Sequence, residues 1–215
     1  MSKITVVVGL QDRGRVVGFT GVVAALACIA SLASGAEQTT RLTGFMLSSA
    51  SFKDGGLMPT RHAAGPPCGL NGPNISPQLA WTNPPAGTKS YALIETSEEG
   101  GAGLGTWRNN YSHGVGDVNL VVYGIPASAN AFVEGELNQP SPNYVSGKNR
   151  FGQGIWRGMC APPGASAPHH YMFKMIATDI DPKALPAGLS FQDLIKRLEG
   201  HALDDAVLIG TFANP

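Results

Sequence analysis

Three near-continuous apolar runs limit what this chain can fold into: Ser90–Thr96, Asn119–Ile125 and Tyr171–Thr178. Each has strand length, and turn chemistry stops the later two, Pro126 after the second and Asp179–Pro186 after the third. The first, carrying Tyr91, Ala92, Leu93 and Ile94, reads as a central strand. With 28 Gly and 16 Pro among 215 residues and 43% apolar content, the chain is turn-rich and mainly β rather than collagen-like or disordered. That length suits one domain better than two. Leu42–Leu47 and Val207–Phe212 read as first and last strands, Ser51–Pro59 as a turn-rich loop and Arg61–Asn83 as an irregular segment. Glu98–His113 is polar and glycine-rich and reads as a long surface loop, and Asn138–Trp156 as a second one. One helix stands out, because Phe191, Leu194, Ile195 and Leu198 fall on one stripe. Ser190 is placed to cap it, Asp193 lies in its first turn, Lys196 and Arg197 lie near its end, and Gly200 can stop it.

Fifteen basic and fifteen acidic residues leave no net field to gather nucleic acid or an acidic membrane surface. The chain starts with Lys3, Arg13 and Arg15, followed by the apolar run Val16–Ala33 and the small residues Ser34-Gly35-Ala36. This is the layout of a secretory signal over 1–36, cleaved after Ala36 and leaving a domain over 37–215. The run also approaches the ~20 residues that span a bilayer; its small-residue exit favours cleavage, which would leave no stable membrane anchor. Cys28 lacks a Leu three places before it, where Ala25 stands, so lipid attachment there is disfavoured. The expected location is therefore periplasmic or secreted. Cleavage leaves Cys68 and Cys160, and exported thiols commonly pair; the alternative is two buried thiols acting as small apolar side chains.

Two segments carry a family resemblance. Asn74-Ile75-Ser76-Pro77-Gln78-Leu79-Ala80-Trp81, continuing to Pro85-Ala86-Gly87-Thr88-Lys89-Ser90, resembles the opening block of bacterial phosphatidylethanolamine-binding (Raf-kinase-inhibitor-like) proteins. Gly158-Met159-Cys160-Ala161-Pro162-Pro163-Gly164, followed by Pro168-His169-His170-Tyr171 and Phe173, resembles a second block of that family. Val121–Pro126, Asn149–Gly152 and Gly210-Thr211-Phe212 fit in order and spacing. The resemblance implies a β-sandwich with Greek-key topology and a late peripheral helix. It also implies a small pocket at one end of the sheets for a phosphate- or carboxylate-bearing head group, with no cofactor.

Carried over residue by residue, the ligand-binding set is His169, Tyr171, Gly158, Pro162, Ser97, Glu99 and Asn119. His169 and Tyr171 alternate on one strand and so share a face; their imidazole and phenol can donate to an oxyanion, and Gly158 is expected to add its amide. Where the family has Asp-Pro-Asp-Ala, this chain has Ser97-Glu98-Glu99-Gly100, and Asn119 stands where the family has histidine. His113 is a candidate substitute for that imidazole; the plainer reading is an exposed loop side chain. Replacing His by Asn removes a group that can turn cationic, which weakens binding of a phosphate dianion. The reading is an exported binding module without catalytic residues or metal, with modulation of a protein partner as a further expectation. A small hydrolase is the alternative, although neither a Gly-x-Ser-x-Gly elbow nor a His-Glu-x-x-His pair occurs in the mature chain; an interaction protein with an idle pocket is the other. Intact-mass measurement on protein recovered from an envelope fraction is expected to show a chain starting at Glu37. The same chain should gain two hydrogens on reduction; a start at Met1 or an unchanged mass on reduction overturns the corresponding reading.

Overall fold

The apolar runs lie side by side as the centre of one sheet. The computed structural model describes residues 43–65, 72–97, 117–161 and 167–213, all within the compact unit Arg41–Pro215. Strand β4 (Ser90–Ser97) pairs antiparallel with β5 (Asp117–Pro126) on one side and β8 (His169–Thr178) on the other. Strand β9 (Ala202–Phe212) lies beyond β8 and carries the short parallel strand β2 (Gly56–Leu57) along its end; β7 (Val145–Ser146) pairs with β5 at the opposite edge. The order β2-β9-β8-β4-β5-β7 places β8, β4, β5 and β7 in a Greek-key arrangement, the fourth strand returning beside the first. A smaller sheet holds β1 (Met46–Ser48), β3 (Leu79–Thr82) and β6 (Ala131–Phe132) in the order β1-β3-β6.

Alternation along β4 explains why its sequence is apolar at consecutive positions. Tyr91 and Leu93 point inward, where they meet Leu79, Trp81 and Phe132 of the small sheet and Phe173 and Leu208 of the large one. Aromatic rings tie the two sheets together, Trp81 lying 5.4 Å from both Tyr91 and Phe132. Ala92 and Ile94 point outward and pack with Val121, Tyr123 and Ile176 beneath Leu194 and Leu198 of helix α1 (Phe191–Leu198). The helix starts as its sequence dictates: the Ser190 hydroxyl accepts the Asp193 amide at 3.1 Å, and Gly200 follows the last turn at φ +76°.

Several boundaries differ from the sequence expectation, each for a local reason. The first strand is Met46–Ser48 rather than Leu42–Leu47, and Leu42 lies outside the described residues. Strand β3 occupies part of Arg61–Asn83; Leu79 and Trp81 alternate inward, but Pro77 and Pro84 on either side masked so short a signal. Strand β2 lies within the Ser51–Pro59 loop and β7 within Asn138–Trp156, each only two residues long. Strand β9 begins at Ala202 rather than Val207, because its first half is an exposed edge carrying Asp204 and Asp205. On that edge the Ile209 amide is accepted by Asp54 Oδ1 and the Asp205 amide by Asp204 Oδ1, each at 2.9 Å. The Glu98–His113 loop lies outside the described residues.

Helix α1 packs on the outer face of the large sheet through its apolar stripe. Leu194→Ala, at a fully buried position, is expected to lower unfolding free energy by about 2–5 kcal/mol. Urea denaturation followed by circular dichroism measures this; a loss below about 1 kcal/mol would mean that the helix is not anchored through this residue.

Candidate functional site

Along β4 the inward face changes character. Tyr91 and Leu93 are followed on the same face by Glu95 and Ser97. Ser97 lies opposite Tyr171 of β8 and opposite Asp117 of β5, so three polar side chains form one row across the central strands. A bulge reinforces the change: Glu95 pairs with Leu120 and Thr96 with Val118, leaving Asn119 as the extra residue. Its side chain turns inward and donates from Nδ2 to Glu95 Oε1 at 3.3 Å. Glu95, Ser97, Asp117, Asn119 and Tyr171 are all buried, Glu95 at 0% exposure. Arg150 forms an ion pair with the Asp117 carboxylate. The Tyr171 hydroxyl accepts the Cys160 amide at 3.0 Å, which fixes the segment after Gly158 over the end of β8.

His169 is partly buried, lies two residues before Tyr171 and therefore shares its face, opposite Phe212 of β9. His170 takes the other face and is exposed. Ser97, Asn119, His169 and Tyr171 thus lie at the same end of three adjacent strands. Gly158 has a different role from the ligand donor expected of it. Its amide donates to Asn74 Oδ1 at 2.7 Å, and a Cβ there would fall 2.3 Å from the His62 carbonyl oxygen. The position requires glycine for close packing, and its N–H is already engaged. Glu99, Pro162, His113 and Cys68 lie outside the described residues.

The Asn74–Ser76 segment is scaffold for this end of the molecule. Asn74 adopts φ +56°, and Ser76 donates its amide to Asn138 Oδ1 at 2.8 Å and accepts the Leu137 amide on its hydroxyl at 3.1 Å. Beside it stands a residue that sequence reading passed over. His62 is fully buried, and its Nδ1 lies 2.7 Å from the Ile75 carbonyl, which places the ring proton on Nδ1. Its Nε2 is buried and meets no hydrogen-bond partner among the described residues. Burial holds this imidazole below the ordinary histidine value, against the opposing effect of the Ile75 hydrogen bond. A single histidine in a Gly- and Pro-rich stretch has no periodicity to betray it; its place beside Arg61 and the Asn74 motif was the one available hint. Arg150 was also passed over, visible only as an unremarked member of the Asn149–Gly152 block.

Two recesses lie away from this polar end. One of about 440 Å³ opens beneath β1, with Phe45, Phe52 and Leu208 in its wall, and one of about 460 Å³ lies between Gly124, Tyr144 and Pro182. Among the described residues, no group of three or more His, Cys, Asp or Glu side chains could hold a metal ion. No helix among those residues is long and apolar enough to cross a membrane.

A fold of two sheets with a late helix, closed at one end by a polar row under a Gly-x-Cys segment, defines a class of small binding proteins. The model of the phosphatidylethanolamine-binding protein family matches residues 48–213, and the chain belongs to that family. It is 31% identical over 165 residues to a UPF0098 protein of Aquifex aeolicus, an alignment covering 76% of this chain and 85% of the relative. A UPF0098 protein of Methanothermobacter thermautotrophicus is likewise 31% identical, over 170 residues, covering 77% and 97% of the two chains. The crystal structure of Escherichia coli YbcL, described as a new member of the mammalian PEBP family, is similar with a TM-score of 0.66 at 26% identity, covering 80% of this chain and 99% of that one.

The buried imidazole has a consequence for pH. Because folding holds His62 below the ordinary value of 6.5, the unfolded chain takes up the proton first. Its contribution is therefore fully present above about pH 6.5, declines as pH falls below that, and levels off once the folded-state group protonates. Urea midpoints measured between pH 8 and pH 5 are expected to fall across this window in the native chain and to flatten in His62→Gln. An unchanged slope in that variant would exclude His62 as the source.

Proposed function

We propose that this chain is an exported binding protein whose ligand is a small phosphate- or carboxylate-bearing head group, held at the polar end of β4, β5 and β8 and bound without turnover. The observation that carries this reading is the buried row Glu95, Ser97, Asp117, Asn119 and Tyr171 on a face that is otherwise apolar. Burying a polar group without a partner costs about 1–3 kcal/mol, so a core places such groups together only where they answer one another or a ligand. Here Arg150 offsets Asp117 and Asn119 donates to Glu95 Oε1, while Glu95 Oε2 is buried with no hydrogen-bond partner among the described residues. The Tyr171 phenol, held on its oxygen by the Cys160 amide, and the partly buried His169 imidazole are the donors that suit an oxyanion. Membership of the phosphatidylethanolamine-binding family supports a small ligand at this end.

Export after Ala36, a Cys68–Cys160 bridge that would tie the Gly-x-Cys segment to the Asn74 scaffold, and modulation of a protein partner complete the proposal. Thermal melting of the mature protein is expected to rise by several degrees with phosphoethanolamine, phosphate or acetate at 100-fold excess over Kd. His169→Ala should weaken that binding on the order of tenfold, the size of a lost charge-assisted hydrogen bond. A folded protein stabilised by none of these ligands would overturn the reading.

A further inference from the structure

Next to the polar end lies a feature that internal packing does not require. Phe151 is 47% exposed, and two guanidinium groups, of Arg150 and Arg157, each stand 4.6 Å from the centre of its ring. The two cationic carbons are therefore no farther apart than about twice that distance, close to one Debye length at physiological salt. Each gains from the ring face, while the pair repels itself. Arg150 is offset by Asp117; Arg157 has no acidic partner among the described residues.

The turn that carries this tip is held firmly. Asn149 is buried, and its Oδ1 accepts the amides of Phe151 at 2.9 Å and Gln153 at 3.0 Å. Its Nδ2 donates to the carbonyls of Asn119 at 3.1 Å and Ile155 at 3.3 Å. The backbone adds the Arg150 amide to the Val118 carbonyl at 2.9 Å. An exposed aromatic ring bearing two cations is thus pinned through four side-chain hydrogen bonds, one of them to Asn119 itself. Arg157 is held by bonds on either side of it, from the Trp156 amide to the Leu137 carbonyl at 2.8 Å and from the Gly158 amide to Asn74 Oδ1 at 2.7 Å.

We infer that Arg150, Phe151 and Arg157 form a cationic clamp for a phosphate ester, supplying from outside the row the positive charge that Asn119 cannot. This rests on the head-group reading above and names the ligand class as a phosphate mono- or diester in preference to a carboxylate. The planar Arg157 guanidinium presents paired N–H donors suited to phosphate oxygens, Arg150 adds the N–H groups its Asp117 ion pair does not use, and the phenyl edge offers apolar contact to the ester's carbon substituent.

The test is titration calorimetry on the mature protein with phosphoethanolamine and, separately, acetate, in the native chain, Arg157→Gln, Arg157→Lys and His169→Ala. Arg157→Gln is expected to lose about tenfold in phosphoethanolamine affinity, to lose far less with acetate, and to melt as the native chain does. Arg157→Lys should recover part of the loss, since it restores charge without the fork. Flotation with vesicles of phosphatidylethanolamine and phosphatidylglycerol separates a bilayer head group from the free ester: binding in both formats fits either source, and binding to vesicles alone assigns the clamp to lipid. Phosphoethanolamine and vesicle binding within twofold of native in Arg157→Gln, alongside a clear loss in His169→Ala, would overturn the clamp and leave the head-group site standing. No binding of any ligand by the native chain would remove the head-group reading and the clamp with it.

Discussion

Strand β4 is paired along both edges and covered on both faces, and the remaining structure is organised around that condition. Its inward side chains join the two sheets through the Trp81, Tyr91 and Phe132 rings, and its outward ones form the floor on which α1 packs. No solvent reaches Glu95 on this strand, so each of its positions must be apolar or answered by another polar group. The site follows from the same condition. Where β4 leaves the small sheet, Glu95 and Ser97 continue the inward alternation, and the fixed register brings Asp117 and Tyr171 alongside. Slipping any of the three strands by one residue would turn the polar row to the opposite face.

The parts legible in the sequence were those whose signal is local. Central strands, the helix with its Ser190 cap, and the two family blocks all announce themselves within a dozen residues. Less legible were elements whose partners lie far away in sequence. Strand β3 depends on pairing with Met46–Ser48 and Ala131–Phe132, and nothing in Leu79–Thr82 alone distinguishes it from the loop around it. Gly158 is obscure for the same reason: a glycine in a loop suggests an amide offered to a ligand, whereas its amide is taken by Asn74, 84 residues earlier. Ser97, Asn119, His169 and Tyr171, which the structure brings to one end of the sheet, carry signals of alternation and family pattern. His62, Glu95, Asp117 and Arg150 matter through contacts with residues distant in sequence, which no linear pattern reveals.

The bulge at Asn119 joins the polar row to the loop that follows β7. An amide there still turns inward and donates to Glu95, and its backbone carbonyl still receives Asn149. A neutral amide cannot supply the cationic charge of an imidazolium, and in the proposed clamp that charge comes from neighbouring arginines. Arg150 lies close enough to meet Asp117, and the buried Asn149 holds its turn in place.

The carboxylates along the outer border of β9 bear on how the protein behaves in a crowded solution. A border strand with bare amides invites another polypeptide to extend the sheet. Asp54 and Asp204 occupy two of those amides with side-chain oxygens, and an approaching backbone carbonyl would have to displace them while confronting their negative charge. Pairing of another strand along that border is thereby discouraged, at the cost of two exposed acids.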